Sequence, residues 1–275
     1  MTKQFTAMCI MILKQRGLLT YDTKLTDIFL NFPEYGNDIT IKNLLQHTSG
    51  LVDFYDLIPK NQKEQLKDQD VFNIYKTENR LKLKPGSKFE YCDGNYVLLA
   101  MAVEKVSGMS FAEFLEKNIF KPLKMNNTVA YEKGISTVKN RAYGTTKMNG
   151  KYIETDQNLT SATLGDGGIY TSLMDYYKWD QALYTDKMVS FETLNQAFSN
   201  GVRDSESGDS YGFGWGYFFM GGKKILYHTG GTVGFTTVVV RIPSEKFTVV
   251  IFTNYNNLDI WRKYVKPIVK MYTSL

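Results

Sequence analysis

From Phe5 to Leu13 the chain is almost continuously apolar, and Lys14, Gln15, Arg16 and Gly17 end the run. An unbroken apolar stretch of this length reads as a buried helix over residues 4–16, with Gly17 placed to close it in the left-handed conformation. Leu25, Ile28, Phe29 and Leu30 stand as anchors in a turn-rich stretch, and residues 38–47 read as a short helix leading into Thr48-Ser49-Gly50. Polar residues dominate 60–80, where a solvated helical region is expected. From Tyr96 to Val106 nearly every residue is apolar and Gly108 follows, which predicts a second buried helix. Ser110 and Glu113 have the spacing of a capping box, opening a helix through Phe120 that Pro122 stops. Residues 126–165, rich in Thr, Asn, Gly and Tyr, predict irregular chain.

After the glycine-dense turn Gly165-Asp166-Gly167-Gly168, Ser172 is placed to cap a helix carrying Tyr176, Trp179 and Leu183. The period then changes. Tyr211–Phe219, Ile225–Thr229, Phe235–Ile242 and Phe247–Thr253 are β-branched and aromatic runs, separated by Gly221-Gly222 and Pro243-Ser244 as in an antiparallel meander. A last helix is expected from Asn257 to Tyr272. Helices first, strands late and a closing helix make the class α+β, with the middle of the chain a separate helical lobe.

At 275 residues and 43% apolar content the chain can bury one large core or two smaller ones. Net charge is +5, with 33 basic and 28 acidic residues mixed along the sequence. No basic stripe suits nucleic acid, so no nucleic-acid partner is expected. Two cysteines, Cys9 and Cys92, make neither a disulfide framework nor a metal site, and both read as structural. With two histidines, His47 and His228, and no Cys or His pair at ligand spacing, neither a metal nor a cofactor is implied. No stretch reaches the roughly 18 apolar residues that a membrane span needs. The run from Phe5 to Leu13 lacks a small-residue cleavage site and reads as core rather than as a leader.

Five short motifs carry chemistry. Lys3 stands at the mouth of the first helix, before Gln4-Phe5-Thr6-Ala7; Leu44-Leu45-Gln46-His47-Thr48-Ser49-Gly50-Leu51 follows. Then come Tyr91-Cys92-Asp93, Gly165-Asp166-Gly167-Gly168-Ile169-Tyr170 and His228-Thr229-Gly230-Gly231. In this order the chain resembles the serine β-lactamase and penicillin-binding-protein superfamily, on its class C, DD-peptidase and esterase side. The resemblance implies a β-lactamase-like α+β fold: an antiparallel sheet flanked by helices, plus an inserted all-helical lobe. The sheet domain would comprise residues 1–40 and 166–275, and the lobe residues 41–165. Relatives place an N-terminal helix and a strand hairpin ahead of this point. Their absence here would leave the strand around 247–253 as a sheet edge, with reduced stability and some aggregation.

The resemblance also implies the site. Its nucleophile lies in Ser-x-x-Lys, so Lys3 takes the lysine's place and the serine would fall immediately before Met1, outside this chain. Three residues along a helix share a face, which lets an ammonium lower the serine's proton affinity. Tyr91 corresponds to the tyrosine of Tyr-x-Asn, a proton shuttle that needs neighbouring cations to act near neutrality, and Lys3 and His228 would be those cations. Asp93 departs from that pattern: an ionised aspartate only accepts, so it either pairs with Lys3 or favours substrates carrying an amine. His228 replaces the lysine of Lys-Thr-Gly, to donate to a substrate carboxylate or carbonyl or to relay a proton with Tyr91. Thr229, Gly230 and Gly231 complete the substrate strand, and Gly231 would supply one oxyanion N–H. His47 reads as a lobe-organising residue, and Thr2, Ser49 and Ser172 lack the context of a nucleophile.

The expected function is thus a serine hydrolase acting through an acyl-serine on a β-lactam, D-amino-acid peptide or small ester. The chain itself, truncated just after the serine, would be inactive. The rival is a non-catalytic member of the same fold that binds peptidoglycan or a partner. Relatives are commonly exported or held at the cell envelope.

Overall fold

The computed structural model describes residues 1–78, 80–256 and 259–273. Helix α1 (Lys3–Gln15) is the central rod, with every residue from Lys3 to Leu13 buried. Gly17 closes it with φ of 71°. A helix buried on all sides must have partners all round. Phe5 meets Trp179 and Phe120, with ring centroids 4.4 and 5.9 Å away, and α1 also packs on the helices that follow.

After the short α2 (Leu25–Ile28), α3 (Ile41–Leu45) is capped reciprocally by Thr40 and Asn43. The helix expected over 38–47 therefore begins only at Ile41, behind a 3-10 turn at Glu34–Asp38. In the polar stretch 60–80 only α4 (Asp68–Thr77) is regular. The second buried helix is α5 (Gly94–Ser107), closed by Gly108 with φ of 70°. It starts on glycine because a Cβ there would lie 1.9 Å from the Tyr75 hydroxyl. Ser110 and Glu113 form the expected box at the start of α6 (Phe111–Leu115), which runs into a π turn at Glu116–Phe120.

The stretch 41–165 is not all-helical. Strand β1 (Val129–Ala130) lies within it, and β2 (Thr145–Met148) and β3 (Lys151–Glu154) form a hairpin. Asn149 and Gly150 make its turn with φ of 51° and 79°, the positive pair that a two-residue hairpin loop needs. Strand β1 pairs with β4 (Ile169–Tyr170). Ser172 caps α7 (Leu173–Ala182) as expected, and Ser190 caps a helix not anticipated, α8 (Phe191–Ser199).

The main sheet is antiparallel, in the order β10-β9-β8-β7-β6-β5. Its strands are β5 (Val202–Arg203), β6 (Ser210–Tyr211), β7 (Gly216–Met220), β8 (Lys223–Thr232), β9 (Phe235–Ile242) and β10 (Phe247–Thr253). The run expected as one strand over 211–219 is broken at 212–215. There a Cβ at Gly212 would sit 2.0 Å from the Ala197 carbonyl, and one at Gly214 2.7 Å from that of Lys3. Glycine lets the chain press against α8 and the start of α1.

Alternation along β9 divides the core. Val239 faces the main cluster around α1, while Val238 and Val240 face a second cluster with Ile260, Val265 and Val269. The second cluster lies under a π turn at Trp261–Val265 and α9 (Lys266–Tyr272). Asn257, where this helix was expected to begin, lies outside the described residues. The fold is α+β, with helices on both faces of an antiparallel sheet. Among the described residues no helix is long and apolar enough to cross a membrane.

Candidate active site

The first turn of α1, the start of α5 and the middle of β8 meet around Lys3. The lysine is only 3% exposed. Its Nζ donates to Asp93 Oδ1 at 2.5 Å and to the Asp166 carbonyl at 3.1 Å, and lies 5.3 Å from the Tyr91 ring centroid. Burial alone would lower the ammonium's pKa. The phenol of Tyr91 and the carboxylates of Asp93 and Asp166 outweigh that effect and hold the lysine pKa well above its ordinary value. Lys3 is thus a fixed cation. Of the two roles open to Asp93, pairing with Lys3 is the one this geometry shows.

Local hydrogen bonds explain why these groups converge. Thr6 Oγ1 donates to the Gly165 carbonyl at 2.6 Å, and the Ile169 N–H donates to Thr2 Oγ1 at 3.2 Å. These bonds stitch the glycine turn to α1. The same turn is held from the lobe side by half-buried Asp68, which accepts from the N–H groups of Leu164 and Gly165 at 2.7 and 3.1 Å. Asp53 accepts from the Asp93 N–H at 2.9 Å, orienting the aspartate's backbone.

Tyr91 lies on a buried histidine. The His47 ring stacks on it at 4.2 Å, and His47 Nδ1 accepts from the Cys92 N–H at 3.2 Å. Asn95, fixed through its Oδ1 by the Ser49 hydroxyl at 2.5 Å, turns its amide to the same nitrogen at 3.1 Å. The lobe-organising role expected of His47 takes this concrete form: it supports Tyr91-Cys92-Asp93 from beneath. Desolvation raises the Tyr91 phenol to about 12 even though 44% of the residue meets solvent, and Lys3 opposes the rise. Cys92 is buried, with its thiol pushed up to about 12 chiefly by desolvation, as a structural cysteine would be.

Strand β7 pairs with β8 only as far as Tyr227, so among the described residues no strand pairs with that side of β8 from His228 to Thr232. His228 points inward and is 5% exposed. Its Nδ1 lies 3.5 Å from the Met1 amine, and its Nε2 is 3.0 Å from the Tyr211 hydroxyl. Desolvation, then the Met1 amine and Lys3, press its pKa well below the ordinary histidine value, so the ring is neutral and not the cation expected beside Tyr91. A Cβ at Gly230 would come within 2.4 Å of Thr237 Oγ1 and 3.4 Å of the Met1 nitrogen, whereas one at Gly231 would meet open space. The Thr229 side chain is exposed and lines a groove on the other face with Asp209, Phe218, Tyr227 and Trp261. The part of Thr229 that reaches the site is its carbonyl, 2.5 Å from His228 Nδ1.

Lys3, Tyr91, Asp93, His228 and Gly230 are therefore gathered within one neighbourhood, and Gly231 stands on its open rim. Tyr211, Asp53 and Asn95 belong to the same network and were not anticipated. The hydroxyls considered as nucleophiles are engaged elsewhere: Ser49 on Asn95, Ser172 on the start of α7, and Thr2 on Ile169. Chemically, the arrangement offers a fixed cation, a phenol beside it, a neutral imidazole and a free strand edge. Among the described residues no group of three or more His, Cys, Asp or Glu side chains could hold a metal ion.

A family model described as Beta-lactamase matches residues 1–261. Penicillin-binding protein 4* of Bacillus subtilis is 32% identical over 269 residues, covering 92% of this chain and 59% of its own length. A putative penicillin-binding protein of the same organism, PbpX, is 30% identical over 261 residues, covering 93% of this chain and 61% of its own. The chain thus spans about three-fifths of the length of these curated relatives. The crystal structure of a penicillin-binding protein from Bacillus halodurans superposes with a TM-score of 0.86 at 26% identity, covering 98% of this chain and 83% of that one.

Proposed function

The chain belongs to the beta-lactamase family, and from that premise we propose that it carries the acylation machinery of a serine hydrolase. The substrates would be β-lactams, D-amino-acid peptides or small esters. One observation carries the reading: Lys3 is buried and paired with Asp93, and the Met1 nitrogen lies 3.5 Å from His228 Nδ1. A serine joined to that nitrogen stands three residues before Lys3, on the same helical face and beside His228.

In this reading the serine oxygen attacks the substrate carbonyl while Lys3 stabilises the developing negative charge around it. Lys3 already holds its proton, so the serine's proton passes by way of the Tyr91 hydroxyl: the phenol oxygen takes it as the phenol's own proton goes to the leaving nitrogen or oxygen. The N–H groups of the serine and of Gly231 hold the oxyanion, and Asp93 keeps Lys3 in place. Water then cleaves the acyl-serine. Asp93, Thr229 and Gly230 shape the substrate strand and its approach.

The test is intact mass after incubation with a reactive penicillin or a fluorophosphonate. It compares the 275-residue chain with one in which a serine precedes Met1 in an upstream extension. Only the serine-bearing chain is expected to gain the mass of the reagent. Lys3→Ala in that chain should slow acylation by a factor on the order of 100 or more. Labelling of the 275-residue chain itself would place the nucleophile elsewhere. Labelling of neither would favour the non-catalytic reading, a protein that keeps the cleft to bind peptidoglycan fragments.

A further inference from the structure

His228 has both ring nitrogens engaged, and the two partners are not equivalent. Nδ1 lies 2.5 Å from the Thr229 carbonyl, which can only accept, so the ring proton sits on Nδ1. Nε2 is then bare and must accept from the Tyr211 hydroxyl at 3.0 Å. Tyr211 is itself held. Its ring is 8% exposed, 4.8 Å from His47 and 5.8 Å from Phe89 by centroid, and 6.1 Å edge-on from Tyr91. Strand pairing β6–β7–β8 sets its distance from His228.

We propose that Tyr211 is a positioning residue that fixes His228 in the Nδ1–H tautomer, so that His228 donates to the Thr229 carbonyl of the substrate strand and does not act as a base. The nitrogen a base would need, Nε2, is closed off by the phenol. The nitrogen on the side of Met1, Nδ1, carries a proton. His47 is the mirror case. Its Nδ1 accepts from Cys92, so its proton sits on Nε2, which is buried with no partner. The two histidines of the chain are therefore held in opposite neutral tautomers by backbone and phenol contacts. The charged and titratable groups around His228 are the Met1 amine, Lys3, His47 and Tyr211, and the cations among them oppose a second proton on its ring.

The consequence for catalysis rests on the function proposed above. The tautomer does not, because it can be measured on a chain that turns nothing over. The experiment is long-range 1H–15N correlation at pH 7 on the 275-residue chain labelled with 15N-histidine, where a bare ring nitrogen resonates far downfield of a protonated one. The expected spectrum has one Nδ1–H ring, His228, and one Nε2–H ring, His47. Tyr211→Phe removes only the hydroxyl and should move the two His228 nitrogens towards each other as its tautomers mix, while His47 stays unchanged. Tyr35→Phe is the control, since that phenol donates to the Tyr75 carbonyl at 2.6 Å, and it should alter neither ring. An Nε2–H His228 in the unaltered protein would overturn the proposal, as would a His228 spectrum indifferent to Tyr211→Phe. Should Tyr211→Phe fail to fold, the Nε2 shift of the unaltered protein decides: a bare nitrogen that accepts from the Tyr211 phenol resonates upfield of a free one, and a free Nε2 would overturn the proposal.

Discussion

Asp166 hydrogen-bonds Lys3 through its backbone, while its carboxylate acts on the lysine only through space. The carbonyl accepts from Nζ, while Oδ1 is buried with no hydrogen-bond partner. Burial pushes the carboxyl from 3.8 up to about 7; Lys3 opposes that rise and Asp93 adds to it. A folded pKa above the unfolded one means that the folded state binds the proton more tightly. The contribution to stability is therefore full below about 4 and is lost as pH rises through about 7. Asp166→Asn keeps the carbonyl and removes the ionisation. It should match the parent protein near pH 4 and exceed it at pH 8, by on the order of a few kcal/mol. Melting curves of both proteins across that range check this, and a variant no more stable at pH 8 would refute it. Lys3, Tyr91, Asp93 and His228 were legible beforehand because each stands in a short motif with fixed neighbours. Tyr211 was not: it is one of 19 tyrosines, its spacing from His228 carries no signal, and only strand pairing brings the two together.

Elements were legible where a single local rule governs them. α1 and α5 announce themselves by unbroken apolar runs closed by glycine, and β9 and β10 by β-branched runs between turns. α8 was missed because Phe191–Ser199 mixes polar and apolar residues in a stretch with no strong boundary except Ser190. The β2–β3 hairpin was missed because its strands are short and exposed, although Asn149-Gly150 carries its turn. What ties α7 to the sheet was also invisible: Arg241 on β9 donates to Asp180 on α7 at 2.5 Å, with Thr248 of β10 on the same carboxylate oxygen at 2.9 Å. Arg241 and Asp180 are 1% and 4% exposed, so the pair is desolvated and each charge depends on the other. Asp180→Ala should cost about 3–5 kcal/mol by leaving the guanidinium buried alone. Replacing both, with Asp180→Leu and Arg241→Met, should cost clearly less, because no charge is stranded. Urea unfolding of the three proteins measures the difference. A double variant as unstable as Asp180→Ala would show that shape, not charge, dominates this joint.

At the scale of the molecule, the sheet ends on β10. One side of that strand pairs with β9 from Phe247 to Thr253, and among the described residues no strand pairs with the other. Its seven residues, Phe-Thr-Val-Val-Ile-Phe-Thr, include no charge and no proline, the two features that most often blunt a sheet edge. Both faces of β10 are covered, since Val250 and Phe252 pack towards the main core and Phe247 and Ile251 towards the second cluster. The exposed liability is thus the row of backbone donors and acceptors, and another chain can satisfy it by adding a strand. The 275-residue chain should therefore self-associate with rising concentration, and its melting should be concentration-dependent. Size-exclusion chromatography with light scattering reads the first. Hydrogen exchange locates it: the outward N–H groups of β10 should exchange freely in dilute protein and gain protection on association, while those bonded to β9 change little. A monomer at every concentration, with one high and cooperative melting transition, would count against an open edge at β10 and so against the arrangement that leaves it the last strand of the sheet.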